Sequence, residues 1–554
     1  MKKVPSMTNT IADLKALAVT SSTMEVEVLG YHGVADGGGG LFAWRAGATA
    51  TDDGGLWIES TVATGGLWQR IVDSAAPVSV RWWGARGDGS TDDTAAIQAA
   101  LDAGFSAVHL PTGTYPVSAT LTVPAGTIVT GDGSGAFRPA NARTTIVKTN
   151  GDTAGDAVME TGQSCTIRDL KLQPHNEAAV TYERAVYPSG TGNTSIGLRT
   201  GSANTVEDVV SQGFADSALV LGTTTKVMRC HIFRSRRGIT TSGSDGMITN
   251  SVTMFCHEAG ILLTTNYWIV TGCRIEWNAT YGIQANGGEL TFTANVFDRN
   301  GWAALYLNGG WGNVVTGNYF SRNGAGGDGT MGRWNWAIPG HRAYLAPPTP
   351  ADSCHIKLNY QRDCTITGNR YRAGVDDGGS GAFAPGYVYN IDGNFGATSN
   401  VTIFANAGEG GSTGAFGGYA LSYPAGSGLF GGTDTADQQL GYGRNVRLGR
   451  VATPGTSTPR QPYGLPQAAS VDVPIDHAIG GRIKVWTNSW NSSPSYAEIT
   501  FTRASGTATT ATVVIDNVIG TNVSAAAIST DPAVMTVTFP GTRFYNVSHD
   551  LHTM

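Results

Sequence analysis

Charge is what this sequence has least of. Lys, Arg, Asp and Glu make up 14% of its 554 residues, where globular proteins carry about a quarter. Long helical stretches of Leu, Glu and Lys are nearly missing, which argues against a helix bundle. No apolar run reaches transmembrane length, so no membrane insertion is expected. The stretch from Met1 to Met24 lacks the apolar segment of a signal peptide. The six cysteines, Cys165, Cys230, Cys256, Cys273, Cys354 and Cys364, form no CxxC or other metal spacing. They are read as reduced thiols that pack as small apolar residues, and neither metal nor cofactor is expected. A net charge of -6 argues against nucleic acid as the main partner.

Glycine is present in excess, at 76 residues, about twice usual usage. It has no Gly-X-Y period, so it points to many tight turns between many short strands. An internal repeat organises them. Ile239–Gly260, Ile261–Gly282 and Ile283–Ala304 align without gaps at 22 residues each. A fourth unit from Leu305 needs one inserted residue, and Tyr387–Gly408 fits the same length. The aligned cores read IVTGCRIEWN, TFTANVFDRN, VVTGNYFSRN and TITGNRYR. A period of this size signals a solenoid, and the alternation within each unit is that of strands. Each unit is too small to bury its own core, so the units must stack. The result is a parallel β-helix with one coil per repeat. Its register puts Ser251, Cys273, Asn295, Asn318 and Asn369 in one column, with Cys230 before them, as stacked core residues.

Upstream, GARGDGSTDDT leads into AAIQAALDAG. Helical spacing of Ile97, Ala100 and Leu101 predicts a helix over about residues 93–103, with Thr91 or Asp92 as its N-cap. This helix would close the open first coil, which His109 to Tyr115 begin. Residues 1–75 read as a separate small unit and 76–450 as the β-helix. Residues 451–469 are rich in Pro, Thr and Gly, a linker composition. The alternating segments of 470–554 predict a C-terminal β-sandwich.

The segment Val80 to Leu101, with GARGDGSTDDTAAIQAAL, resembles the opening motif of pectate-lyase-like β-helix proteins. The preceding VLGYHGVADGGGGLFAWR, DDGGLWIES and GGLWQRIVD resemble the neck of bacteriophage tailspikes. The resemblance implies an all-β chain built on a right-handed parallel β-helix, with a short N-terminal capping helix and an intertwined or side-by-side homotrimer. It implies a virion tail protein, made in the host cytoplasm and partnered by other tail proteins, that binds capsule or O-antigen and usually cleaves it. It also accounts for the missing signal peptide. The short N-terminal unit would be truncated or would dock on another virion protein.

Glycosidic cleavage usually needs two carboxyl groups, one protonated and one ionised. Glu276 and Asp298 occupy equivalent positions on consecutive coils, each after a core residue, Ile275 or Phe297. Alternation points both outward, on backbones about 5 Å apart. Like charges that close keep a proton on the pair. The bland alternative is two solvated surface acids. Glu258, Glu289, His257 and Arg299 form a second tier of candidates, though each is also an ordinary turn or surface residue. Tyr267, Tyr281, Trp302 and Trp311 offer flat faces to sugar rings, and Tyr267, Glu289 and Trp311 share one repeat position. The repeat is broken once, at residues 324–353, by an excursion holding Trp334, Trp336, His341 and Arg342. These, with Arg274 and Arg322, could bind an acidic sugar, although outward Arg also serves solubility. The expected activity is that of a glycoside hydrolase, with a uronate-specific lyase as the runner-up and a non-catalytic receptor-binding fibre as the further alternative.

Overall fold

The computed structural model describes residues 6–73, 76–136, 138–150, 155–174, 195–324 and 354–372 in full. Pro348 and Asp352 are described between the last two ranges, and beyond 372 only separate strands and short segments are. Three parallel sheets of 14, 11 and 11 strands run the length of the solenoid. Eleven coils contribute one strand to each, as Ile269–Thr271, Arg274–Glu276 and Tyr281–Ala285 do, and the first sheet gains three further strands at its ends. These are called the first, second and third faces. The next coil begins at Thr291, paired with Ile269, so that coil is 22 residues long. The following one begins at Val314, paired with Thr291, which gives the predicted 23.

Each three-residue strand turns its middle residue inward. Ile248, Val270, Phe292, Val315 and Ile366 stack in this way along the first face, all fully buried. On the second face Phe297, Phe320 and Tyr371 stack ring on ring, at 4.7 and 5.3 Å between centroids. The corners are held by amides. Asn295 donates from Nδ2 to Asn318 Oδ1 at 3.0 Å, and Asn318 to Asn369 Oδ1 at 2.9 Å. The backbone N–H of Cys273 donates to Asn295 at 2.9 Å, and that of Cys230 to Ser251 at 3.1 Å. The predicted column is therefore a hydrogen-bonded ladder, and all six cysteines are buried free thiols. The opposite corner has a second ladder, Asn278, Asn300 and Asn323, with links of 2.9 and 2.8 Å.

The capping helix spans Thr94–Asp102. Its N-cap is Asp93, not Thr91 or Asp92, and Asp93 makes no side-chain cap bond. Its carboxylate turns back instead, accepting from the Arg86 and Gly87 N–H groups at 2.6 and 2.9 Å. Asp92 bonds Thr94 and Ser118. The acidic residues thus brace the turn before the helix and the first coil after it. The N-terminal unit is a five-stranded sheet with its own core around Phe42, Trp44 and Trp68. It also carries a second helix, Ile11–Lys15, closed by a Thr10–Asp13 capping box. Sequence reading passed over it because five residues show too little periodicity. Buried Arg70 ties this unit to the solenoid, donating to Gly38 and Gly55 carbonyls while lying over Phe42 and Trp82. At the far end, the described strands of the segment expected to form a sandwich make a six-stranded antiparallel sheet. Its last strand, Val534–His552, pairs different neighbours with its two halves.

The ladder makes a prediction. Asn318→Ala would remove the side-chain oxygen that accepts from both the backbone N–H and the amide of Asn295, and losing such a buried partner costs on the order of 1–3 kcal/mol. The thermal unfolding midpoint should fall while the far-ultraviolet spectrum stays that of a β-protein. An unchanged midpoint would mean that the ladder is ornamental.

Candidate active site

The second face carries the site. Its strands end in an outward residue and pass into a left-handed turn, where Phe255, Trp277, Arg299 and Arg322 have φ of 59, 57, 55 and 54°. Left-handed backbone costs a non-glycine residue of order 1–3 kcal/mol. Here each turn is fixed by a bond to the next coil. Trp277 N–H donates to Asp298 O at 3.0 Å, and Arg299 N–H to Ser321 O at 3.1 Å. The turn interrupts strand alternation, so the residue after each outward side chain stays beside it. Glu276 is thus followed by Trp277, and Asp298 by Arg299.

Glu276 and Asp298 are direct register partners on neighbouring strands, as the repeat predicts. Their inward neighbours Ile275 and Phe297 are in the core. Yet outward does not mean solvated, for Glu276 is only 4% exposed and Asp298 6%. Both acids are paired with guanidiniums. Arg274 Nε donates to Glu276 Oε1 at 2.6 Å. Arg322 grips Asp298 with two bonds, Nε to Oδ1 at 2.9 Å and Nη2 to Oδ2 at 2.5 Å. Arg299 pairs with the same Oδ2 and lies over the Trp277 ring at 4.5 Å. Burial pushes the Glu276 carboxyl above its usual range; Arg274 opposes this and Asp298 adds to it. The two acids therefore differ. One has its pKa raised by burial, and the other is held between two guanidiniums.

The remaining candidates divide by corner. His257 and Glu258 lie at the same corner as Trp277, one coil earlier. Burial lowers the His257 pKa. Glu258 spans Arg236 and Arg237 at 2.6 and 2.7 Å, which gives it a bracing role. Tyr281 and Trp302 meet edge to face at 5.1 Å where the third face begins. Glu289, Tyr267 and Trp311 lie at the corner between third and first faces, away from the acid pair. They do not share one position either. The inserted residue moves the left-handed turn to Gly312, so the column runs Tyr267, Glu289, Gly312, and Trp311 ends the preceding strand. Arg274 and Arg322, expected to await an acidic sugar, are engaged by the protein's own acids. Trp334, Trp336, His341 and Arg342 lie outside the described residues. Sequence reading left out Trp277 as a support for Arg299, because nothing in spacing alone reveals a cation over a ring. It also left out the outward apolar cluster of Val210, Phe233 and Val252 on the coils before the acids.

The unequal environments have opposite consequences for stability. A carboxyl whose folded pKa is raised costs stability once pH exceeds its unfolded value, because the unfolded chain then ionises first. Glu276→Gln should therefore melt higher than wild type at neutral pH, with the gain vanishing in acid. Asp298→Asn removes the charge that Arg299 and Arg322 pair with and should lose about 3–5 kcal/mol. Melting curves at two pH values read both, and a destabilised Glu276→Gln protein at neutral pH would contradict the assignment.

Comparison with known proteins extends the picture. Residues 7–73 match the phage tail protein small four-stranded β-sheet domain. Residues 77–328 match the rhamnogalacturonase A/epimerase, pectate lyase-like family, and 259–418 the right-handed β-helix region. A stretch of 56 residues is 46% identical to the pre-neck appendage protein of Bacillus phage phi29. That stretch is 10% of this chain and 6% of the appendage protein, so the chain spans a small part of its curated relatives. The enzymatically active domain of bacteriophage CBA120 tailspike protein 2 superposes with a TM-score of 0.55 at 14% identity, over 99% of this chain and 86% of that one. The full-length tailspike protein 2, from an Escherichia coli O157:H7 bacteriophage, gives 0.56 at 14% identity, over 100% and 83%. At such identity the likeness speaks for the fold. A segment similar to the phage-tail β-sheet domain thus leads into a right-handed β-helix similar to the pectate-lyase-like family.

Proposed function

We propose that this chain, which joins a phage tail domain to a pectate-lyase-like β-helix, is a tailspike that binds and depolymerises a bacterial surface polysaccharide, capsule or O-antigen. It does so at the virion tail, as a homotrimer attached to other tail proteins. Cleavage is glycosidic hydrolysis by the Glu276–Asp298 pair. The observation that carries this reading is the contrast between two acids in register, one driven toward its protonated form by burial and the other clamped by Arg299 and Arg322.

In the reaction, Glu276 donates its proton to the glycosidic oxygen as the bond to the leaving sugar breaks. Asp298, kept anionic, faces the positive charge that develops on the sugar ring, and either takes it up directly or orients a water. Neighbouring low-dielectric surface strengthens both effects. A lyase would need a base beside a uronate and a cation on its carboxylate. Arg299 and Arg322 are the obvious cations, and their engagement with Asp298 favours hydrolysis over that alternative.

Chromatography of purified capsule or O-antigen after incubation, with ultraviolet absorbance followed in parallel, tests the proposal. Hydrolysis shortens the polymer without a new double bond; a lyase creates one, and a binding fibre leaves chain length unchanged. Glu276→Gln should lower kcat by at least about 100-fold, the lower bound for loss of a general acid. Full activity in that variant would exclude the pair. A second measurement uses pH. Glu276 must be protonated to act, so kcat/KM should fall on the alkaline side. Removing Arg274, which lowers the Glu276 pKa, should move that limb to higher pH. A shift in the other direction in Arg274→Ala would rule out Glu276 as the acid.

A further inference from the structure

The coil that carries Asp298 crosses the third face with an unusual sequence. Strand Leu305–Trp311 reads LYLNGGW and is two residues longer than its predecessor, Tyr281–Ala285. Its outward residues are Tyr306 and Asn308, and it runs from Trp302 at one corner to Trp311 at the other. Asn308 is held on three sides. Its Nδ2 donates to Asn286 Oδ1 at 3.1 Å, and its Oδ1 accepts from Asn359 Nδ2 at 2.9 Å and from the Tyr306 hydroxyl at 3.0 Å. Unlike the corner ladders, this amide row lies on the outside, with Asn286 exposed and Asn308 and Asn359 half-buried. Its side chains are only partly covered, although Asn359 Oδ1 is buried without a hydrogen-bond partner among the described residues.

Rings flank the row. Tyr281 packs against Trp302 at 5.1 Å and against Tyr306 at 5.0 Å. At the far corner Trp311 is 48% exposed. Between them Gly309 has φ of +78°, and a Cβ added there would meet nothing within 4 Å, so the strip is open above its middle. Lys357 lies over the Tyr306 ring at 4.8 Å and pairs with Asp352 at 2.6 Å, and exposed Arg362 is the register partner of Trp311 at the other end. The middle of the strip therefore offers fixed amides between rings, with its described charges at the two ends. Sugars match this, placing C–H faces on rings and hydroxyls on amides. Because the amides hold one another, little side-chain entropy remains to be lost on binding.

We infer that the third face carries a second glycan subsite, from Trp302 through Tyr306 and Asn308 to Trp311, that binds a stretch of polysaccharide through its hydroxyls and C–H faces, apart from the acid pair on the second face. It rests on the proposal that the substrate is a polysaccharide. Its role is to retain the polymer while the second face cuts it.

The test uses the full-length Glu276→Gln protein, which should bind without cutting. Its Kd for a purified capsular polysaccharide that wild type shortens is measured by affinity electrophoresis and calorimetry. Adding Tyr306→Ala and Asn308→Ala should weaken binding about tenfold, equivalent to about 1.4 kcal/mol, with the unfolding midpoint still above the assay temperature. Adding Asn308→Asp, which sets a charge in the strip and keeps its shape, should weaken binding as well. Unchanged Kd in both variants would overturn the subsite and leave the depolymerase reading intact. Failure of wild type to bind or shorten any polysaccharide of the panel would overturn that reading itself, and the subsite with it.

Discussion

Everything in this molecule depends on the hydrogen-bonded spacing between one coil and the next. Parallel strands lie about 4.8 Å apart, and a coil that drifts by one residue would turn its core outward. The register is therefore fixed wherever a side chain must meet its copy on the next coil. Amide ladders do this most strictly, since an asparagine that slipped would lose partners above and below in a place water does not reach. The stacked rings of Phe297, Phe320 and Tyr371 add shape to the same constraint.

The acid pair follows from this register. A solenoid that repeats one coil brings equivalent residues into contact, and like charges so placed repel. The structure answers with guanidiniums. Arg322 and Arg299 hold Asp298, Arg274 holds Glu276, and Trp277 supports Arg299 from beneath. These supports come from left-handed turns, which keep two consecutive side chains on the outer surface. Strain in the backbone is thus converted into density of charge at one place. The result is an asymmetric pair from symmetric positions, which acid–base chemistry requires.

Irregularity serves the third face in a comparable way. The extra residue before Gly312 breaks the repeat just enough to lengthen one strand and open a gap over Gly309. Regular coils supply stability, and the departures from them supply shape that a polymer can recognise. Both occur within about two coils of the acids.

Sequence alone determined the solenoid, its 22-residue period, the Ser251 to Asn369 column and the pairing of Glu276 with Asp298, because these depend on spacing along one chain and a fixed strand separation. The second ladder, Asn278, Asn300 and Asn323, was equally legible in the last Asn of each aligned core and passed unremarked. What only the tertiary structure decided were burial and partners. Asp93 turned away from its helix, Trp311 slipped out of its column by one inserted residue, and two outward carboxylates proved almost covered. Each outcome depends on which side chains from other coils reach the same point and on how their charges compete there. Period fixes where a residue stands; its protonation and its neighbours are set by the dielectric and the cations that folding gathers around it.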